Sequence, residues 1–338
     1  MNTSSPSTAK LPRVSVVMPV YNVEAYVAEA IQSVLDQTFT DFELIIVDDG
    51  GADMSLAICQ SFEDPRISIV SQRNRGLAGA RNTGIAAARG EFVALLDSDD
   101  RWLSDKLMLH VIHFDNTPSI GVSYAPSRFI DTTGRSMRVV QRPKLSGVAA
   151  ADIFCRNPVG NGSAPVLRRT ALDTVAFPHP DDRKRTCWFD ESLRQSEDIE
   201  MWLRLSLAGC VQFEGIAPVL TEYRIGGGGL SAHILRQYET WQGVVARMAR
   251  YAPEFTARHV DRARAYQLRY LARRAIQLGD AGMAMALLRA AMGSSIFPLL
   301  EEPVKSLTTL AAALVGRLIG PDRFASLAGR AAGGKLVA

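Results

Sequence analysis

EFVALLDSDD, residues 91–100, decides how the rest of the chain is read. Phe92 to Leu96 run without a polar interruption, as a short strand buried on both faces does. The run ends on Asp97, Ser98, Asp99 and Asp100, residue types that strand interiors disfavour. Carboxylates crowded at one strand end repel one another unless a cation offsets them. Hard oxygen donors of this kind suit Mg2+ or Mn2+, kept partly hydrated and shared with substrate phosphates.

Toward the N-terminus the same motif of apolar run and acidic stop recurs. VSVVMP (14–19) reads as a buried strand, followed by a helical stripe of Val27, Ala30, Ile31, Val34 and Leu35. ELIIV (43–47) is a second strand, stopped by Asp48, Asp49 and Gly50. A helix near 55–62, a strand at 67–70 and a helix near 78–88 lead to the strand that ends at Asp97. Such alternation is the pattern of a mostly parallel, Rossmann-like α/β sheet. Ligands of these sheets sit at the carboxyl ends of the strands, so Tyr21, Asn22, Asp48, Asp49, Asp97, Ser98 and Asp99 are the residues to weigh.

Beyond residue 104 the alternation weakens. Ser104 is expected to cap a helix running to about Asn116, with Asp105 in its first turn. Strands near 122–130, a loop over 157–164, a helix through Ile199, Trp202, Leu203 and Leu205, and strands near 211–213 and 219–223 follow. Ser196, Glu197 and Asp198 open that helix, where an N-cap with an acidic first turn is the plain structural reading. From Ala232 the chain becomes rich in Ala, Arg and Leu at helical spacing, with a turn at Asp280–Gly282. The expected organisation is a lead-in over residues 1–12, without order, an α/β domain over 13–230 and a helical region over 231–338.

Composition narrows the function. Of 338 residues, 47% are apolar and 22% charged, an ordinary globular balance. A net charge of +3 is too small to argue for a nucleic-acid partner, and none is expected. Cys59, Cys155, Cys187 and Cys210 show no paired spacing, which suits a reducing, cytoplasmic setting rather than a zinc or disulfide framework. Met1–Lys10 lacks the apolar run of a secretory leader. Leu307–Ile319 is too short to span a bilayer, so any membrane contact by that last helix would be peripheral.

Four segments together carry a resemblance: VSVVMPVYN (14–22), FELIIVDDG (42–50), NRGLAGARNTGIAAARGEFVALLDSDD (74–100) and SEDIEMWLRL (196–205). In this order and spacing, over about residues 14–225, the chain resembles glycosyltransferase family 2, inverting enzymes of GT-A fold. The resemblance implies transfer of a sugar from a nucleoside-diphosphate donor, UDP being the commoner base, to an acceptor hydroxyl on a glycan or lipid-linked glycan. Pro19, Tyr21 and Asp49 match the base-holding positions, Tyr21 by stacking and Asp49 by accepting from the base. Asp97 and Asp99 match the D-x-D pair, which puts Asp97 near the ribose and donor sugar and Asp99 on the metal, with Ser98 between them. Asp198 matches the catalytic base, and Arg81, in the A-R-N segment, helps hold the donor. Tyr223 and Arg224, ahead of a glycine run, resemble the segment that closes over the diphosphate. Gly51 departs from the serine commonly found there and removes whatever contact that hydroxyl makes.

Other features read as non-functional. His110 and His113 share a helix face but lack a third ligand nearby. The G-x-x-x-x-G-K string at Gly329–Lys335 is followed by Leu336 and leaves no room for a helix. Asn161-Gly162-Ser163 has the form of a glycosylation sequon but reads as a loop, near the acceptor side by family architecture. A nucleotidyltransferase would need an early Gly-rich basic loop where Pro19-Val20-Tyr21-Asn22 stands. A catalytically inactive binding or scaffold protein is the other alternative, and loss of Asp99 or Asp198 would have favoured it.

Overall fold

VSVVMPV folds as β1 (Val14–Val20), buried at every position because strands flank it on both edges and helices cover both faces. The computed structural model describes residues 11–226, 234–320 and 323–324. The lead-in to residue 10, the glycine run beyond Gly226 and the string at 329–335 lie outside them.

The chain continues through α1 (Val27–Leu35), β2 (Phe42–Asp48), α2 (Ser55–Gln60), β3 (Ile67–Ser71), α3 (Gly76–Ala87) and β4 (Phe92–Leu95). Next come β5 (Arg101–Trp102), α4 (Lys106–Asn116), β6 (Ile120–Tyr124), β7 (Ser127–Ile130), β8 (Ser136–Gln141) and α5 (Ala150–Arg156). Then follow β9 (Val166–Arg168), α6 (Arg169–Asp173), β10 (Phe177–Pro178), β11 (Thr186–Cys187), α7 (Glu197–Leu207), β12 (Gln212–Gly215) and β13 (Thr221–Arg224). The helices α8 (Ile234–Tyr251), α9 (Pro253–Gln277), α10 (Ala281–Ser294), α11 (Phe297–Glu301) and α12 (Pro303–Ile319) complete it.

The main sheet has the order β12-β6-β9-β4-β1-β2-β3. Its strands run parallel except β9, which is antiparallel to both neighbours. A second sheet, β5-β13-β7-β8, stands beside the end of β4. Pairing of β1 with β4 stops at Val17↔Leu95, so Pro19 sits past the last partner on that side and its missing N–H removes no ladder bond there.

Alternation along the strands splits the core. Val14, Val16, Met18 and Val20 pack with α1 and with Leu107, Val111 and Phe114 of α4. Val17, Ile45, Val47 and Leu95 face α3, α5 and α7. Trp241, Val244 and Met248 of α8 and Ala263 and Tyr266 of α9 belong to that same second core. Ala272, Ala275, Ala284, Met285, Leu288 and Ala313 form a smaller core among α9, α10 and α12.

Local departures from the sequence reading have local causes. Asp105, not Ser104, stands at the N-cap of α4 and makes no side-chain cap bond. The Asp105 carboxylate accepts from Thr38 Oγ1 at 3.0 Å, so it is committed to another loop rather than to the first turn of α4. Ser196 is at the N-cap of α7 as expected, yet its hydroxyl makes no cap bond and its backbone is left-handed, φ 59°.

Candidate active site

The ends of β1 and β2 are stitched into one wall. Asn22 Oδ1 accepts from Ala52 N at 2.8 Å, Asp53 Oδ2 from Glu24 N at 2.9 Å, and Glu24 Oε2 from Met54 N at 2.8 Å. Gly51 fits this seam, because a Cβ there would lie 3.0 Å from both the backbone N and Oδ1 of Asn22. Tyr21 projects from the wall half exposed. Asp49 is buried at the foot of α3 and accepts from Gln72 Nε2 (2.7 Å), Arg75 N (2.8 Å) and Gly76 N (2.9 Å). It thereby satisfies amides at a helix start that has no side-chain cap of its own.

At the end of β4 the central connection is Arg81. Its guanidinium is 2% exposed and donates to Asp97 Oδ1 at 2.6 Å and to Glu197 Oε1 at 2.8 Å. Burial would lower its pKa, but Asp97, Glu197 and Asp198 together raise it, so the group is held as a cation. Its plane lies 5.4 Å from the Phe189 ring. Asn82 fixes Phe189 by donating to its carbonyl at 2.9 Å and accepting from its amide at 2.8 Å. One arginine thus ties the D-x-D strand end to the first turn of α7, where Asp198 follows Glu197. Burial, then Glu197, pushes the Asp198 carboxyl up to about 7, against the pull of Arg81.

Burial and Asp97 likewise raise Asp99, to about 6. The Asp99 carbonyl accepts from Arg224 Nε at 2.7 Å. Ser98 is buried between the two. Asp100 is fully buried and raised far above the carboxylate range by burial, Asp99 and Asp97. It accepts from Ser163 Oγ at 2.5 Å and from Arg224 N at 2.8 Å. Ser163 Oγ also lies 3.0 Å from Asp97 N, which donates to it.

Arg224 ends β13 beside the acidic loop. It is 5% exposed, and besides Asp99 O its guanidinium donates to Asp131 O (3.1 Å), Thr132 O (3.4 Å) and Glu29 Oε2 (2.8 Å). It stacks 4.5 Å over Tyr26. So placed, it fastens the acidic loop to β13 and α1 and directs its fork at protein groups.

Sequence reasoning missed three residues here. Glu197 was legible only as a helix-start charge, yet it anchors Arg81. Gly162 lies against Arg81 and Asp97, where a Cβ would come within 2.2 Å of Arg81 Nη2 and 2.6 Å of Asp97 Oδ2. Ser163 links Asp97 and Asp100, so the triplet read as a loop is part of the site's frame; Asn161 is itself bonded to Ser127 Oγ at 2.8 Å. His110 and His113 both meet Ser123 Oγ, at 2.6 and 2.8 Å, in a buried polar chain that begins at Lys106. Burial lowers Lys106 to about 7, and its Nζ donates to Ala164 O at 2.7 Å. A cavity of about 760 Å3 lies along α3, lined by Arg75, Thr83, Lys184, Arg185 and Trp188, but none of Asp97, Asp99 or Asp198 lines it.

Among the described residues no group of three or more His, Cys, Asp or Glu side chains is arranged to hold a metal. Asp99 nonetheless suits a divalent cation of the kind that takes few protein ligands and completes its shell with water and phosphate. The mutual charge that raises Asp99 is the charge such a cation offsets.

A mostly parallel sheet with one reversed strand, acidic loops at the ends of β2 and β4, and a small sheet closing over the second loop define a GT-A fold. The chain is similar to S. aureus TarS solved in complex with UDP, at TM-score 0.57 and 19% identity over 90% of this chain and 88% of that one. It is similar also to the mannosyltransferase PcManGT from Pyrobaculum calidifontis solved with GDP-Man and Mn2+, at TM-score 0.56 and 18% identity over 98% and 89%. The family model described as Glycosyl transferase family 2 matches residues 15–175. The putative teichuronic acid biosynthesis glycosyltransferase TuaG of Bacillus subtilis is 32% identical over 226 residues, covering 66% of this chain and 82% of that one. The chain belongs to glycosyltransferase family 2. It spans about a third of the length of the first curated relatives it matches.

Proposed function

We propose that this protein is an inverting glycosyltransferase that moves a sugar from a nucleoside-diphosphate donor, UDP-linked in the first instance, to an acceptor hydroxyl during assembly of a cell-surface polysaccharide or glycolipid. The observation that carries the reading is the Arg81 bridge, which joins Asp97 to Glu197 and so sets Asp198 beside the D-x-D loop. In this reading Tyr21 offers its exposed ring to the base, and Pro19 and Asp49 shape the pocket under it. Asp97 and Ser98 lie on the ribose and sugar side, with Arg81 holding Asp97 in place. Asp99 would hold Mn2+ or Mg2+, which when bound supplies charge neutralisation for the diphosphate leaving group.

Asp198 takes the proton from the acceptor hydroxyl as that oxygen attacks the anomeric carbon and the nucleoside diphosphate departs with the bonding pair. A base titrating near 7 is matched to that task at neutral pH. The acceptor is a glycan or lipid-linked glycan, reached at the inner face of the cell membrane.

Thermal melting against UDP, GDP and dTDP, and their sugars, with Mn2+, Mg2+ or EDTA, tests the donor site. One base should raise the melting temperature in a metal-dependent way, because a ligand bound only by the folded state adds stability by mass action. Asp99→Asn should abolish that shift. No shift with any nucleotide at saturation would sink the reading and favour a binding or scaffold role. The anomeric configuration of the product, read by NMR, tests inversion.

A further inference from the structure

We propose that the outward face of α11 and α12, continued by the end of α10, docks on an anionic lipid bilayer. On α12 the side turned to α9 and α10 carries Thr309, Ala313 and Gly316. The opposite side carries Val304, Leu307, Ala311, Leu314, Val315 and Leu318, all exposed, Leu318 at 85%. Met292, Ile296, Phe297, Leu299 and Leu300 extend the exposed apolar surface through α11. This face is broader than a two-residue seam, and α12 alone is about 26 Å long.

Its charges choose the occupant. Between Ala281 and Gly320 the acidic residues are Glu301 and Glu302. Glu301 is held by Arg156 and Arg262, and Glu302 by the buried Arg269, so both are neutralised from the protein's own side, while Lys305 adds a second contact to Glu302 at 3.0 Å and stays half exposed. Lys305 and Arg317 remain exposed at the two ends of the apolar stripe, and Arg289 stands one turn before Met292.

A second copy is disfavoured by the same pattern. Lys305 and Arg317 lie six residues on either side of Ala311. An antiparallel pairing would set Lys305 against Arg317, and a parallel one would set each against itself, like charge on like in both cases. A bilayer rich in acidic headgroups answers both cations while its acyl boundary takes the apolar side chains.

The docking needs neither donor nor acceptor, so it can fail while the transfer reading stands, and the reverse. The test is flotation of the full chain with phosphatidylcholine vesicles, with and without phosphatidylglycerol. About tenfold more protein should float with the acidic vesicles, and added salt should weaken this. Leu307→Glu with Leu314→Glu should abolish flotation while leaving the nucleotide-induced melting shift intact. Lys305→Glu with Arg317→Glu, which keeps the apolar stripe, should remove the preference for acidic lipid. Equal flotation of natural and altered chains, or none with acidic vesicles, would overturn the proposal. So would a dimer in light scattering that Leu307→Glu and Leu314→Glu dissociate without any flotation.

Discussion

Asp198 owes its raised pKa to burial and to Glu197, with Asp97 adding to the repulsion and Arg81 opposing it. Two outcomes are expected of Asp198→Asn. Turnover should fall by roughly 10²–10⁴ with nucleotide binding retained, since only the proton transfer is removed. In the natural chain kcat/KM should fall as the pH drops below about 7. Stability should move the other way. A carboxyl raised on folding binds more protons folded than unfolded between about 4 and 7, so its contribution is lost as the pH climbs through that window. Asp198→Asn should therefore melt at a higher temperature than the natural chain at pH 8 and at nearly the same temperature at pH 4. Equal melting at pH 8 would show that the carboxyl is not held near 7. At this scale the acidic residues were legible in the sequence because they interrupt apolar runs, as Asp97 does after Leu96. Their partners were not, since Glu197 and Ser163 act across separations of 116 and 66 residues that no local pattern encodes.

Among the elements, the loop over Asn157–Ala164 constrains the site most tightly. Gly162 leaves room for Arg81, whose guanidinium is pinned by two carboxylates and has no free path of retreat. Gly162→Ala is expected to cost about 1–3 kcal/mol by overpacking and to weaken nucleotide binding as Arg81 or Asp97 shifts. Melting curves with and without nucleotide would measure both, and an unchanged protein would mean that the loop yields freely. The long periodic elements, β1, β2, β4, α1 and α7, were legible because burial on both strand faces or one helix face leaves a regular apolar record. The three-residue β9 left none, and its reversed direction depends on pairing with β4 and β6 rather than on its own sequence. At α4 the N-cap falls at Asp105, whose carboxylate is claimed by Thr38, far off in sequence.

Across the whole molecule, the expected helical region from residue 231 does not begin where the core ends. Trp241 is buried and stacks on Phe154 at 6.0 Å and Tyr238 at 5.8 Å, inside the core that lines one face of the sheet. Trp241→Ala should cost about 3–5 kcal/mol and lower the melting of the entire chain in one transition. Separate melting of the helices, with the nucleotide-binding part unaffected, would show two independent units instead. The composition shift after Gly226 was legible; the sharing of a core was not, because helices packed on a neighbour and helices packed on one another carry the same apolar spacing.

The buried carboxyl of Asp100 has its partners at Ser163 and Arg224, 63 and 124 residues further along. During synthesis the chain emerges N-terminus first, at about 5–20 residues per second. The strand that presents the D-x-D pair is therefore made several seconds before the residues that fasten it down. A ribosome-bound chain ending short of Arg224 would hold the acidic loop without its clamp, and capture on a nucleotide resin would begin only once that residue had cleared the exit tunnel.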